Sequence, residues 1–150
     1  MTPECMLEIV LALDKNAEVS GNSAVFILGD QRLMLVYDVT ADRMRIMTPI
    51  ASTSALTEEL AVRMLQANYD AVLDVRYAIA NDLIWSAFIH PLGPLSDEEF
   101  VSAIAQTATA AKTFGLTFSS GALVFGGGDS SEIHRDLFEE IEKRLRERGI

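Results

Sequence analysis

The residues best suited to metal binding or nucleophilic chemistry in this chain are two histidines, His90 and His134, and one cysteine, Cys5. A protein metal site needs several His, Cys, Asp or Glu side chains converging on one point. The two histidines lie far apart in sequence, and neither has a cysteine close by. His90 precedes Pro91 at the end of an alternating run and reads as a strand-end or surface histidine. His134 falls in the first turn of an acidic helix and reads the same way. Cys5 sits in the first turn of another helix, where the dipole can lower a thiol pKa, but no histidine is near it in sequence to act as a base. Ser119-Ser120-Gly121 lacks the leading glycine and the strand-to-helix context of a nucleophile elbow. The run from Gly126 to Ser131 precedes a helix, yet it has no P-loop lysine and carries Asp129 where a phosphate would approach. It reads as a linker. The carboxylate pairs Asp70/Asp74 and Glu58/Glu59 are unremarkable in so acidic a chain. No residue pattern marks a catalytic centre, a metal site or a cofactor site, and the expectation is a non-enzymatic protein.

Composition narrows the alternatives. A chain of 150 residues is one ordinary domain. Hydrophobic residues make up 49% and charged residues 23%, which excludes disorder as the main state. Acidic residues number 22 against 12 basic ones, and the net charge of −10 repels a phosphate backbone, so nucleic acid is not an expected partner. A single cysteine forms no internal disulfide, which fits a reducing compartment. No basic stretch precedes the first apolar residues and Glu8 interrupts them, unlike a signal peptide. The longest unbroken apolar runs, 24–28 and 33–37, are far short of the ~20 residues that cross a bilayer. The expected location is the cytoplasm, with no membrane contact.

The elements that would position any site follow from periodicity. Thr2-Pro3-Glu4 opens a helix by capping, a fixed φ and a favourable charge. Met6, Ile9, Val10 and Leu13 then form one apolar stripe, and a loop at 20–23 ends that unit. Runs at 24–28 and 33–38 read as a hairpin whose strands want cover on both faces. A third strand at 43–48 alternates Met44 and Ile46 with Arg43 and Arg45. Thr57-Glu58-Glu59 starts a second helix that ends near Asn68, with Leu60, Met64 and Leu65 on its apolar side.

A second hairpin turns at Asn81-Asp82, with Leu73, Val75, Tyr77 and Ile79 on one strand and Leu83, Trp85, Ala87 and Ile89 on the other as its apolar face. Ser96 and Glu99 match a capping box, and Leu95 can staple onto Phe100. The third helix carries Phe100, Ile104, Ala108 and Ala111 on its buried stripe and stops at Gly115. Residues 117–125 read as short and extended, 126–128 as a glycine joint, and Asp129 with Glu132 as the cap of a last helix carrying Ile133, Leu137, Ile141 and Leu145. The order is helix, three strands, helix, two strands, helix and an added helix, an α+β fold with an antiparallel sheet. Its apolar sheet surface exceeds what three core helices obviously cover, which suggests a dimer interface or a groove for a partner. The alternative is that the last helix covers it.

Ala67-Asn68-Tyr69, Leu73-Asp74-Val75-Arg76-Tyr77-Ala78, Ile84-Trp85-Ser86-Ala87-Phe88, Pro91-Leu92 and Ser96-Asp97-Glu98-Glu99-Phe100 together resemble the C-terminal half of the type III secretion chaperone-like superfamily. That group includes the class I (CesT-like) secretion chaperones and the YbjN-like proteins. The element order over roughly residues 4–116 is similar to its α-β-β-β-α-β-β-α plan. The resemblance implies a cytoplasmic homodimer that binds an extended segment of a partner protein, with no cofactor and no catalysis. It implies a partner groove at Met6, Ile9, Val10 and Leu13 on the first helix and Phe26, Leu28, Leu33 and Leu35 on the strands. It implies a dimer contact at Leu60, Met64 and Leu65 with neighbouring sheet residues. Residues 1–125 would form the chaperone-like domain. Residues 126–150, beyond the family's core, would be a glycine-hinged helix packed on it; that helix could cap the sheet, brace the dimer or occupy the partner groove, and its apolar stripe behind a triple-glycine joint suggests docking over apolar surface that otherwise receives a ligand. Two other readings stay open: a YbjN-like regulatory module that binds a folded protein, and an enzyme of unknown type.

Overall fold

A computed structural model describes residues 1–114, 117–119, 122–124 and 128–150; for Asp70, 117–119, 122–124 and 128–131 it describes the backbone alone. In chain order the elements are α1 (Pro3–Leu13), β1 (Glu18–Ser20), β2 (Ser23–Leu28), β3 (Gln31–Asp38), β4 (Arg43–Ser52) and a 3-10 turn (Thr53–Ala55). They continue with α2 (Glu58–Asp70), β5 (Arg76–Ala80), β6 (Leu83–His90), α3 (Asp97–Thr113), β7 (Thr117–Ser119), β8 (Ala122–Val124) and α4 (Gly128–Glu147). The fold is α+β, as the pattern of elements requires. Six antiparallel strands form one sheet in the order β1-β2-β3-β4-β6-β5, and β7 pairs with β8 in a separate ribbon.

The caps written in the sequence fix three helix starts. Thr2 Oγ1 accepts from the Cys5 N–H (3.3 Å), and Thr57 Oγ1 accepts from the Leu60 N–H (3.1 Å). Ser96 and Glu99 close a reciprocal capping box at 3.1 and 2.8 Å. Leu95 and Phe100 are both fully sheltered at this end of α3, as a hydrophobic staple requires.

Local expectation and structure part at several points. The segment after α1 is not only loop: Glu18–Ser20 pairs with Ser23–Val25 around a turn in which Gly21 holds a φ of 57°. The strand read as 43–48 runs on to Ser52. Pro49, which suggests a stop, falls just past the last β3–β4 pair, Met34 with Met47, so its missing N–H removes no ladder bond. The hairpin strands β2 and β3 are covered on one face only. Ala24, Phe26, Leu28, Leu33, Leu35 and Tyr37 are buried, whereas Val25, Met34 and Val36 are half-buried and Ile27 is exposed. In β6 the buried phase is Ile84, Ser86 and Phe88, so Leu83, Trp85, Ala87 and Ile89 lie on the other face. The two-residue turn dictates this, because it sets Ile79 opposite Ile84 and Tyr77 opposite Ser86.

The molecule is built as three layers. The inner face of the sheet packs on α1 and α3, and α4 lies on α3 and α1. Helix α3 is buried nearly all round, not along one stripe, because the sheet meets one side and α4 the other. Ala103, Ala105, Ala108 and Ala110 keep it slim enough for that position. Of its buried hydroxyls, Thr107 donates to the Ala103 carbonyl (2.7 Å), whereas Thr109 Oγ1 has no hydrogen-bond partner among the described residues; Ser86 of β6 donates to the Thr107 carbonyl (2.8 Å). On α4, Ile141 and Leu145 are buried, while Arg144 pairs with Glu140, and Arg146 with Glu142 at 2.8 Å. The helix stop expected at Gly115 and the joint at Gly126 and Gly127 lie outside the described residues, and Gly128 is the first residue of α4.

Candidate protein-binding surface

The eight side chains expected to form a groove are brought together. Met6, Ile9, Val10 and Leu13 of α1 and Phe26, Leu28, Leu33 and Leu35 of the sheet are all buried, between 0% and 9% exposed. They form the contact by which α1 packs on the inner face of the sheet, so α1 itself occupies the channel they would line. Apolar side chains outside this contact remain exposed. Leu11 on the back of α1, Val19 on β1 and Ile27 at the end of β2 are exposed at 41%, 44% and 55%. None of the three stands in the periodic stripe, which reports the core and passes over its rim.

Helix α2 carries two stripes. Leu60 is half-buried and Met64 and Ala67 are buried, spaced at i, i+4 and i+7 toward the chain's own core. On the opposite side Val62, Leu65 and Tyr69, at i, i+3 and i+7, are exposed at 48%, 69% and 92%. The three residues expected at a dimer contact are therefore divided: Leu60 and Met64 turn inward and Leu65 turns out. Val62 and Tyr69 escaped the sequence reading, although their spacing with Leu65 was a visible second periodicity.

Polar side chains guard both ends of the sheet. The Ile27 N–H, which faces beyond short β1, donates to Asp14 Oδ2 (2.9 Å). On the far edge the Tyr77 N–H donates to Asn68 Oδ1 (2.7 Å), and Asn68 Nδ2 donates to the Tyr77 carbonyl (3.1 Å). One amide thus imitates a neighbouring strand and holds α2 against β5. The Tyr77 hydroxyl donates to the Ala110 carbonyl (3.0 Å), and its burial pushes the phenol pKa up. Glu99 is held below the ordinary carboxylate value, chiefly by the Ser96 backbone N–H. Burial pushes His134 down.

The outer face of the sheet has its own chemistry. Register places Val25, Met34, Met47, Ala87 and Arg76 in one row across five strands, and Val36, Arg45 and Ile89 in the next. Arg32 and Arg43 lie on the same face. Four of the chain's 12 basic residues therefore sit on this one surface of a protein with net charge −10, and among the described residues none of the four pairs with a carboxylate. No group of three His, Cys, Asp or Glu able to hold a metal occurs among the described residues. None of the described helices is long and apolar enough to cross a membrane.

One of the solved structures that this architecture resembles is a chain of the HopA1-SchA chaperone-effector complex, with a TM-score of 0.52 and 12% identity over 63% of this chain and 75% of that one. A chain of the ExsC-ExsE complex is similar at a TM-score of 0.50 and 13% identity, over 60% of this chain and 71% of that one. The protein has the type III secretion chaperone fold. No protein-family model matches the sequence, and no curated protein matches it. At this identity the likeness lies in the fold. Within the secretion-chaperone fold, β1, the β7–β8 ribbon and α4 are additions to the α-β-β-β-α-β-β-α plan.

Proposed function

We propose that this protein is a non-enzymatic, chaperone-like binding protein of the cytoplasm that works as a homodimer and holds an extended segment of a partner protein. The observation that carries the reading is the placement of exposed apolar side chains on a well-sealed fold. Leu11 on the back of α1, Val19 on β1 and Ile27 on the outward phase of β2 are exposed outside the α1–sheet contact, and Val62, Leu65 and Tyr69 form a second stripe on α2. An edge strand supplies backbone hydrogen bonds and adjacent apolar side chains supply burial, which suits an unfolded segment. The similarity to a chain of a chaperone-effector complex supports the same reading. The α2 stripe, with Glu58 and Glu59 at its start, is complementary to the arginine-bearing outer sheet face of a second copy. The remaining acidic surface keeps such a protein soluble.

A YbjN-like module that binds a folded protein is the second reading. The observation that favours it is the sealing of the eight groove side chains under α1, which leaves a shallow surface in place of a channel. Competition separates the two. An unstructured peptide displaces a partner held as an extended segment and leaves a folded partner in place.

A further inference from the structure

Strand β6 outruns its neighbour. Both residues of the Asn81-Asp82 turn have positive φ, 51° and 60°, so Ala80 and Leu83 form the closing hydrogen-bonded pair of a two-residue hairpin. Antiparallel pairs alternate, so Ala78–Trp85 and Arg76–Ala87 are pairs of the same kind. Leu83, Trp85 and Ala87 thus turn their N–H and C=O groups toward β5. Ile89, two residues further, turns its own groups the same way, but β5 begins at Arg76, opposite Ala87. The preceding chain has left the strand line: Leu73 has a φ of 54°, and the Asp74 N–H donates to Gln106 Oε1 (3.0 Å). Among the described residues no hydrogen bond closes on the Ile89 backbone from that side, and its side chain is 55% exposed. The corresponding outward groups of Ile27 and Tyr77 are met by Asp14 and Asn68.

A cleft of ≈ 350 Å³ opens beside this stretch, bordered by Asp74, Arg76, His90, Glu99, Ser102 and Gln106. Arg76 Nη1 donates to the carbonyls of Leu73 and Val75 (2.7 and 2.6 Å), which ties the guanidinium to its own loop. Two carboxylates, Asp74 and Glu99, against the single Arg76 guanidinium leave the cleft with a net negative charge, although Gln106 Nε2 donates to Asp74 Oδ2 (3.4 Å), in a chain whose overall charge attracts a cation. In a strand laid along Ile89, the residue opposite shares the outer face with Ile89, and its neighbours point inward to α3 and the cleft.

We infer that the β6 overhang at Ile89 is a strand-addition site for an extended segment of another protein, with an apolar residue opposite Ile89 and a lysine or arginine in the Asp74–Glu99 cleft. This rests on the proposed protein-binding role and specifies its place and its ligand chemistry. Three end-blocked peptides test it on the full chain: alternating valine and lysine, alternating valine and glutamate, and the lysine peptide N-methylated at alternate residues. Amide exchange and chemical shifts are the readouts. At saturation the lysine peptide slows exchange of the Ile89 N–H by about tenfold or more. The glutamate peptide binds about fivefold more weakly or worse, the gap closes in the Asp74→Asn/Glu99→Gln variant, and N-methylation removes binding. Binding that leaves Ile89 exchange unchanged, or that ignores peptide charge, overturns the site. Peptides that protect Val19 or Ile27 instead overturn it while leaving the protein-binding role standing. Failure of every unstructured peptide to bind removes both.

Discussion

Asn68 is the side chain through which one residue controls an edge of the sheet. It satisfies both backbone groups of Tyr77 from a half-buried position. Asn68→Ala removes both of these hydrogen bonds and costs about 1–3 kcal/mol in urea unfolding. It also frees an edge for pairing, so the variant gains concentration-dependent aggregation. Unchanged stability would show that Asn68 holds nothing. The capping box makes a pH-dependent prediction. Removing the cap by Ser96→Ala costs about 1 kcal/mol. The Glu99 carboxyl is held below its ordinary value of about 4.5, chiefly by the Ser96 backbone N–H. Its contribution is therefore fully present above about 4.5 and is lost as the pH falls through the lower folded-state value. Wild type exceeds Glu99→Gln in urea midpoint at neutral pH, and the two converge in acid. A gap that persists at low pH would assign the effect to packing.

At the scale of elements, α2 bears the test of assembly. Leu65→Asp places a charge in the middle of the outward Val62–Leu65–Tyr69 stripe without touching the core. The proposed homodimer predicts that the wild-type chain sediments at twice 16.4 kDa and that the variant sediments as a folded monomer. A wild-type monomer, or a dimer indifferent to Leu65→Asp, rejects the α2 contact. The sequence was most legible where a cap or a strict alternation acts over a few residues: Thr2, Thr57 and Ser96 start their helices where their hydroxyls can cap them. It was least legible where the outcome depends on a partner element. The face of β6 is fixed by its pairing across Asn81-Asp82, not by its own composition, because Leu83, Trp85 and Ile89 are as apolar as Ile84 and Phe88. Likewise Met6, Ile9, Val10 and Leu13 were read rightly as one stripe. Whether that stripe lines an open groove or closes it is decided only when α1 meets the sheet.

The whole molecule divides its apolar content into two parts. One is a sealed core, in which α1 and α3 cover the inner sheet face and α4 adds a layer over those two helices, so that among the described residues no helix lies across the outer sheet face. The other is a set of exposed side chains at the sheet rim and on α2, beside an arginine-bearing face on an otherwise acidic chain. The proposed segment-holding role draws on the second part. The direct test is selection of unstructured peptides from a random display library on the full-length protein, followed by fluorescence anisotropy with the selected sequences. Micromolar binding by peptides that compete with one another at the sheet edges is the predicted result. Recovery of folded binders only, with no unstructured peptide retained, would contradict it.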